Sequence, residues 1–189
     1  MYHVTEALYF PAVETASPEG ILAFGGDLSP ERLLLAYRSG IFPWFEADEP
    51  ILWWSPNPRM VLFFDELKVS KSMRNIFNRA IFKVTFNQDF RAVISNCQNV
   101  KREGQNGTWI TNEMIEAYCK LHEIGIAKSV EVWKDDKLVG GLYGIDLGHV
   151  FCGESMFSLV SNASKVAFIS LVNQLKSENY QILDCQVYN

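Results

Sequence analysis

All seven prolines of this 189-residue chain lie in its first sixty positions: Pro11, Pro18, Pro30, Pro43, Pro50, Pro56 and Pro58. Proline fixes φ and donates no backbone hydrogen bond, so a segment this rich in it builds neither a central sheet nor a long helix. Residues 1–60 therefore read as a small N-terminal lobe of loops, one short helix and at most short strands. Ser29-Pro30-Glu31-Arg32 is a helix start, with serine as cap and proline in the first turn. Gly40 is placed to stop that helix. Ile41-Phe42-Pro43-Trp44-Phe45 and Ile51-Leu52-Trp53-Trp54 then pack aromatics around prolines.

Beyond residue 60 the pattern turns regular. Met60-Val61-Leu62-Phe63-Phe64 and Ile81-Phe82-Lys83-Val84-Thr85-Phe86 read as strands, with a helix over 70–79 between them. After Thr111, a capping residue type, Met114, Ile115, Tyr118, Leu121 and His122 recur at helical spacing, and His122 on that apolar stripe is expected to be a core histidine. Ser129-Val130-Glu131-Val132-Trp133, a turn over 134–137 and a strand over 138–145 form a hairpin. Asp146-Leu147-Gly148 turns into a third strand over 149–154, a helix follows over 162–177, and Tyr180-Gln181-Ile182-Leu183-Asp184 closes as a strand. An antiparallel meander, a helix and a strand able to pair in parallel is the core order of acetyltransferase-like (GNAT) domains. The expected fold is α+β, a GNAT-like mixed-sheet domain over 61–189 preceded by the small lobe.

With 48% hydrophobic and 21% charged residues the composition is that of a globular protein. No window has the ~18 consecutive apolar residues of a membrane helix, and the N-terminus lacks the basic start and apolar run of a secretion signal. A cytoplasmic location is expected. Cys97, Cys119, Cys152 and Cys185 stand far apart, and His3, His122 and His149 complete no zinc signature. The cysteines read as core residues, and neither metal nor cofactor is expected. The net charge of −5 is unevenly spread. Residues 57–102 hold nine basic side chains (Arg59, Lys68, Lys71, Arg74, Arg79, Lys83, Arg91, Lys101, Arg102) against Asp65, Glu66 and Asp89, a balance of +6 that leaves −11 for the remainder. Such a region is either a solvated basic face or a phosphate-binding one.

The familiar nucleophile-elbow, P-loop and dinucleotide signatures are absent, and Gly140-Gly141-Leu142-Tyr143-Gly144 lies in a strand pattern, where glycine marks a bulge or a close backbone approach. More informative are Gly153-Glu154-Ser155-Met156-Phe157-Ser158 at a strand end, Asn162-Ala163-Ser164-Lys165 at a helix start whose amides could bind an anion, and Asp184-Cys185-Gln186. Alternation puts Asp184 and Gln186 on one strand face. Taken singly, each of these residues is also explained as an ordinary strand-end, turn or surface group.

Taken in order, these segments together with Thr108-Trp109-Ile110 and Ser129-Val130-Glu131-Val132-Trp133 resemble the leucyl/phenylalanyl-tRNA–protein transferases, over nearly the whole chain from Gly20 to Asn189. The resemblance implies transfer of Leu or Phe (also Met) from aminoacyl-tRNA to the α-amine of proteins with N-terminal Arg or Lys, marking them for N-degron proteolysis. It implies catalytic roles for Asp184, Gln186 and Glu154. Trp53, Trp54, Trp109 and Tyr118 would surround the aminoacyl-adenosine end, and Leu142, Phe151, Met156, Phe168 and Leu183 the amino-acid side chain. Lys68, Lys71, Arg74, Arg79 and Lys83 would contact tRNA. Since an aminoacyl ester is already activated, the enzyme has to position the amine, accept a proton and stabilise an oxyanion. A relay in which Asp184 orients Gln186 would suit this. Two departures stand out: Lys128 where the family commonly has His, and a chain that stops at Asn189, which would expose a sheet edge or thin the acceptor site. The rival readings are a GNAT enzyme using acyl-CoA, although its [RQ]-x-x-G-x-[GA] turn is missing, a non-catalytic tRNA-binding module, and a relative that adds amino acids to cell-wall peptides.

Overall fold

The computed structural model describes residues 1–100 and 109–188. Lys101 and Arg102 of the basic segment, Thr108 of the Thr108-Trp109-Ile110 motif, and Asn189 lie outside the described residues.

The first sixty residues hold more sheet than a loop reading expects. Four strands of two to five residues, β1 (Tyr2–Val4), β2 (Ile21–Gly25), β3 (Phe42–Pro43) and β4 (Leu52–Trp54), pair in the order β1-β2-β4-β3. Pro43 sits on the edge strand β3, where its missing N–H costs no ladder bond. Helix α1 (Pro30–Arg38) starts as expected, with Ser29 Oγ accepting the Arg32 N–H. Gly40 follows at φ +74, a left-handed conformation that favours glycine. The fully buried Arg32 ties the N-terminal strand to this helix by donating to the carbonyls of Thr5, Glu6 and Ala7.

The second sheet has six strands in the order β5-β10-β9-β8-β7-β6. They are β5 (Met60–Phe63), β6 (Lys83–Phe86), β7 (Ala127–Lys134), β8 (Lys137–Asp146), β9 (Val150–Ser158) and β10 (Ile182–Gln186). All pairs are antiparallel except β9 with β10, so the expected meander, helix and parallel strand are present in that order. The β7–β8 turn is tighter than its sequence suggests: Asp135 and Asp136 both have positive φ, the geometry of a two-residue hairpin loop. β10 is paired on both sides, with β5 and with β9.

Helices α3 (Phe90–Asn99) and α4 (Asn112–Glu123) pack on one face of this sheet, and α5 (Ala163–Ser177) on the other. Helix α2 (Lys71–Asn78) joins the α5 side through Met73. Helix α3 is absent from the expectations above, although Phe90, Val93, Ile94 and Cys97 recur at helical spacing and are its buried face. Gly140 is required by close approach: a Cβ there would lie 2.5 Å from that of Ala163, where α5 begins. His122 is half-buried at the edge of this core, with Nδ1 2.8 Å from the Ala127 carbonyl and its ring stacked on Phe90. The core on the α3/α4 face is continuous with that of the first sheet, running from Leu22, Leu33 and Trp53 to Tyr118 and Tyr143.

Candidate active site

The parallel pairing of β9 with β10 ends at Cys152 and Asp184, after which each strand carries a bulge. Glu154 is the extra residue of β9, since Gly153 faces Gly144 and Ser155 faces Tyr143. Cys185 is the extra residue of β10, between Asp184 opposite Val61 and Gln186 opposite Met60. Bulges bend strands and re-aim side chains. Between the parting strands opens a cavity of about 540 Å³, inside the roughly 300–1,000 Å³ range of small-molecule sites. Leu142, Met156, Phe168, Leu171 and Leu183 line it with apolar side chains, and Phe42, Pro43, Trp44 and Trp109 add aromatic and proline rings to the lining. Glu154 and Gln186 bring polar groups to it.

Glu154 is half-buried as a residue, but its carboxylate is enclosed. Oε1 accepts from Tyr37 Oη and from Gln186 Nε2, both at 2.7 Å, and Tyr118 Oη lies 3.5 Å from Oε2. The Tyr37 and Tyr118 hydroxyls are also hydrogen-bonded to each other. Burial raises the Glu154 pKa from 4.5 to about 8. The bonds from Tyr37 and Gln186 oppose that rise, Asp184 adds to it, and Arg59 opposes it. Burial, then the neighbouring Glu154, pushes both tyrosines well above their ordinary range.

Asp184 has a different role from the one alternation suggests. Its carboxylate is gripped by Arg59, with Nε 2.9 Å from Oδ1 and Nη2 2.7 Å from Oδ2. It also accepts the backbone N–H of Gln186 at 2.8 Å, not the side chain. Gln186 has φ +63, so the Asp184 bond holds a bend that a glutamine rarely adopts. Asp184 therefore orients Gln186 through the main chain, and the Gln186 amide is oriented by Glu154.

Of the expected pocket residues, Trp109, Leu142, Met156, Phe168 and Leu183 line the cavity, as do Glu154 and Gln186. Glu154 stands in mid-strand, not at a strand end. Trp53 is fully buried instead, its Nε1 bonded to the Gly25 carbonyl and its ring edge-on to Phe10. Trp54 braces Trp44 from behind by donating to its carbonyl. Phe151 lies in the buried cluster with Leu142 and Leu183, and Tyr118 stands behind Glu154. The start of α5 is not part of the cavity lining, and its Ser164 N–H is taken by Ser158 Oγ. Cys97, Cys119 and Cys152 are core residues as expected, but Cys185 lines the cavity, its thiol pushed up to about 11 by burial. Lys128 stands on β7 opposite Gly144. Lys68, Lys71, Arg74, Arg79 and Lys83 are all exposed, whereas Arg59 and Arg91 are committed to Asp184 and Glu116. Tyr37, Phe42, Trp44 and Arg59 escaped sequence reasoning. Phe42 and Trp44 stood within a quoted aromatic motif, whereas Tyr37 carried only helix periodicity and Arg59 only its charge.

The sheet thus has the meander, helix and parallel strand order expected of a GNAT-like fold, and it forks over an apolar cavity that holds an amide–carboxylate cluster. Residues 61–189 match the leucyl/phenylalanyl-tRNA protein transferase family, and residues 26–57 its N-terminal domain. A leucyl/phenylalanyl-tRNA–protein transferase of Flavobacterium johnsoniae is 74% identical over 189 residues, which cover 100% of this chain and 89% of the relative. That of Flavobacterium psychrophilum is 68% identical over 100% of this chain and 90% of the relative. A ribosomal-protein-alanine N-acetyltransferase of Brucella melitensis is a remote likeness of fold, at TM-score 0.41 and 14% identity over 57% of this chain and 80% of that one. The chain belongs to the leucyl/phenylalanyl-tRNA–protein transferase family and is an aminoacyltransferase.

Proposed function

We propose that this enzyme moves leucine or phenylalanine, and also methionine, from aminoacyl-tRNA to the α-amine of proteins beginning with arginine or lysine, marking them for N-degron proteolysis. The family name supplies the two substrate classes, an aminoacyl-tRNA and a protein. In this reading Leu142, Met156, Phe168, Leu171 and Leu183 receive the amino-acid side chain. A flexible methionine among leucine and phenylalanine side chains accepts Leu, Met and Phe better than a β-branched residue. Trp44 and Trp109 face the adenosine, with Trp54 bracing Trp44 and with Trp53, Phe151 and Tyr118 supporting from the core. The exposed Lys68, Lys71, Arg74, Arg79 and Lys83 hold tRNA phosphates.

The observation that carries the acceptor preference is that Glu154 is the single carboxylate lining the cavity among the described residues, while Asp184 is already neutralised by Arg59. An arriving cationic side chain draws Glu154 toward its ionised form and pairs with it. With Nε2 of Gln186 held by Glu154, the amide oxygen is the end turned to the substrate amine, whose N–H it accepts during attack on the ester carbonyl. Fixing amine against ester is worth up to ~7–11 kcal/mol of the barrier. The deciding experiment is incubation with labelled Leu-tRNA or Phe-tRNA and peptides differing only at the first residue. Product is expected with Arg and Lys and lost when the α-amine is blocked; equal transfer to Asp or Ala peptides would overturn the acceptor assignment.

A further inference from the structure

We infer that Arg59 is a positioning residue for aminoacyl transfer: its guanidinium sets Asp184, and through it Gln186, while tying down the Gly40–Phe42 stretch that leads into the cavity lining. The inference rests on the reading of the cavity as the transfer site.

Arg59 joins three distant stretches of chain. Nε and Nη2 grip Asp184 on β10, Nη1 donates to the Gly40 carbonyl at 3.0 Å, and the guanidinium lies 4.9 Å from the centre of the Phe42 ring. Its side chain is mostly buried, so the pair is screened little by solvent. What the pair holds is chemically specific. The Asp184 oxygen facing Nε is the one that accepts the Gln186 N–H, so the guanidinium charge supports the bent backbone that aims Gln186 Nε2 at Glu154. On the other side, Gly40 follows the helix that carries Tyr37, the second donor to the same Glu154 oxygen. Both close donors to that oxygen are thus referenced to one planar cation. Phe42, under the guanidinium, lines the cavity. A lysine ammonium is a point charge and cannot bridge carboxylate, carbonyl and ring together.

The test compares Arg59→Met, Arg59→Lys, Asp184→Asn and the Arg59→Met/Asp184→Asn pair, using both Leu-tRNA and a short leucyl-adenosine donor. Arg59→Met is expected to lower kcat about a hundredfold, the scale of an ångström's misplacement, on both donors and with little change in KM. Arg59→Lys should lose less. Glu154 is faced by Tyr37 from α1, Tyr118 from α4, Asp184 and Gln186 from β10, Cys152 on its own strand, and Arg59. Among these Arg59 supplies the positive charge, so the inflection that Glu154 imposes on the pH–rate profile should move upward in Arg59→Met but stay in place in Arg59→Lys. The double variant should lose clearly less than the product of the two single losses, because Arg59 acts in part through Asp184. Full turnover by folded Arg59→Lys, additive losses in the double variant, or a defect confined to the KM of Leu-tRNA would each overturn the inference. If Arg59→Met does not fold, the Arg59→Lys turnover decides alone. Loss in Asp184→Asn beside full activity in Arg59→Lys removes only Arg59, whereas unchanged turnover in Asp184→Asn and in Gln186→Ala together removes the transfer-site reading itself.

Discussion

Glu154 illustrates how one residue's chemistry is made by its surroundings. An ordinary glutamate in a polar-looking motif becomes, as the extra residue of a bulge, an enclosed carboxylate with two close hydrogen-bond donors and a pKa raised to about 8. Because that value exceeds the ordinary 4.5, the folded protein keeps a proton that the unfolded chain has lost. Over the interval from about 4.5 to about 8 the folded state binds more protons, so this residue's contribution to stability is fully present at low pH and is lost as pH rises through that interval. Glu154→Gln is neutral at every pH. The difference in Tm between the variant and the parent should therefore shift in the variant's favour between pH 5 and pH 9. A difference that stays constant across that range would mean the carboxylate is ionised throughout. The polar members Glu154, Asp184 and Gln186 were legible as residue types in a motif. The Asp184–Gln186 link was legible only in part, because alternation assumes a regular strand and the bulge at Cys185 breaks it.

Elements with strong local signals came through: the Ser29 and Thr111 caps, the β7–β8 hairpin and helix α5 all lie where caps, turns and periodicity put them. Short strands were allowed for in the first sheet but not placed, because two or three residues carry too little pattern and are made strands by their neighbours. Helix α2 shows a basic charge run becoming a surface. Met73 is its one buried residue, Lys71 and Arg74 are exposed, and none of the five expected tRNA contacts joins an ion pair among the described residues. Reversing the charge of Lys71 and Arg74 should weaken tRNA binding several-fold at low salt and flatten its dependence on salt, because fewer counterions are released. Activity on a short aminoacyl-adenosine should be unaffected. Equal loss on both donors would assign α2 to the fold or the chemistry instead.

At the scale of the whole molecule, we infer that the division near residue 60 is one of organisation, not of independent folding. Apolar side chains of the first sheet and α1 share a continuous core with α3, α4 and the six-stranded sheet. Arg59 and Tyr37 add polar ties across the same boundary. Thermal unfolding should be a single transition, coincident by far-ultraviolet circular dichroism and by tryptophan fluorescence. Trp44, Trp53 and Trp54 report on the first part and Trp109 and Trp133 on the second. Two separated transitions would show that the lobes are held together only at their surfaces. Among the described residues no helix is long and apolar enough to cross a membrane.

What the amino-acid order determined by itself was whatever short-range physics writes locally: proline confinement, helix caps, the hairpin, the meander–helix–strand order and the run of motifs that marks the family. Those signals span a few residues each, so they are readable without knowing what packs where. The site's working geometry was decided by tertiary structure alone. Tyr37 meets Glu154 across 117 positions and Arg59 meets Asp184 across 125. Neither partner is recognisable in advance, because a tyrosine on a helix and an arginine in a basic segment look the same whether they face solvent or a buried carboxylate. The forked sheet is what tells them apart. By parting β9 from β10 and bending each at a bulge, it creates an enclosed place where charge is costly unless paired.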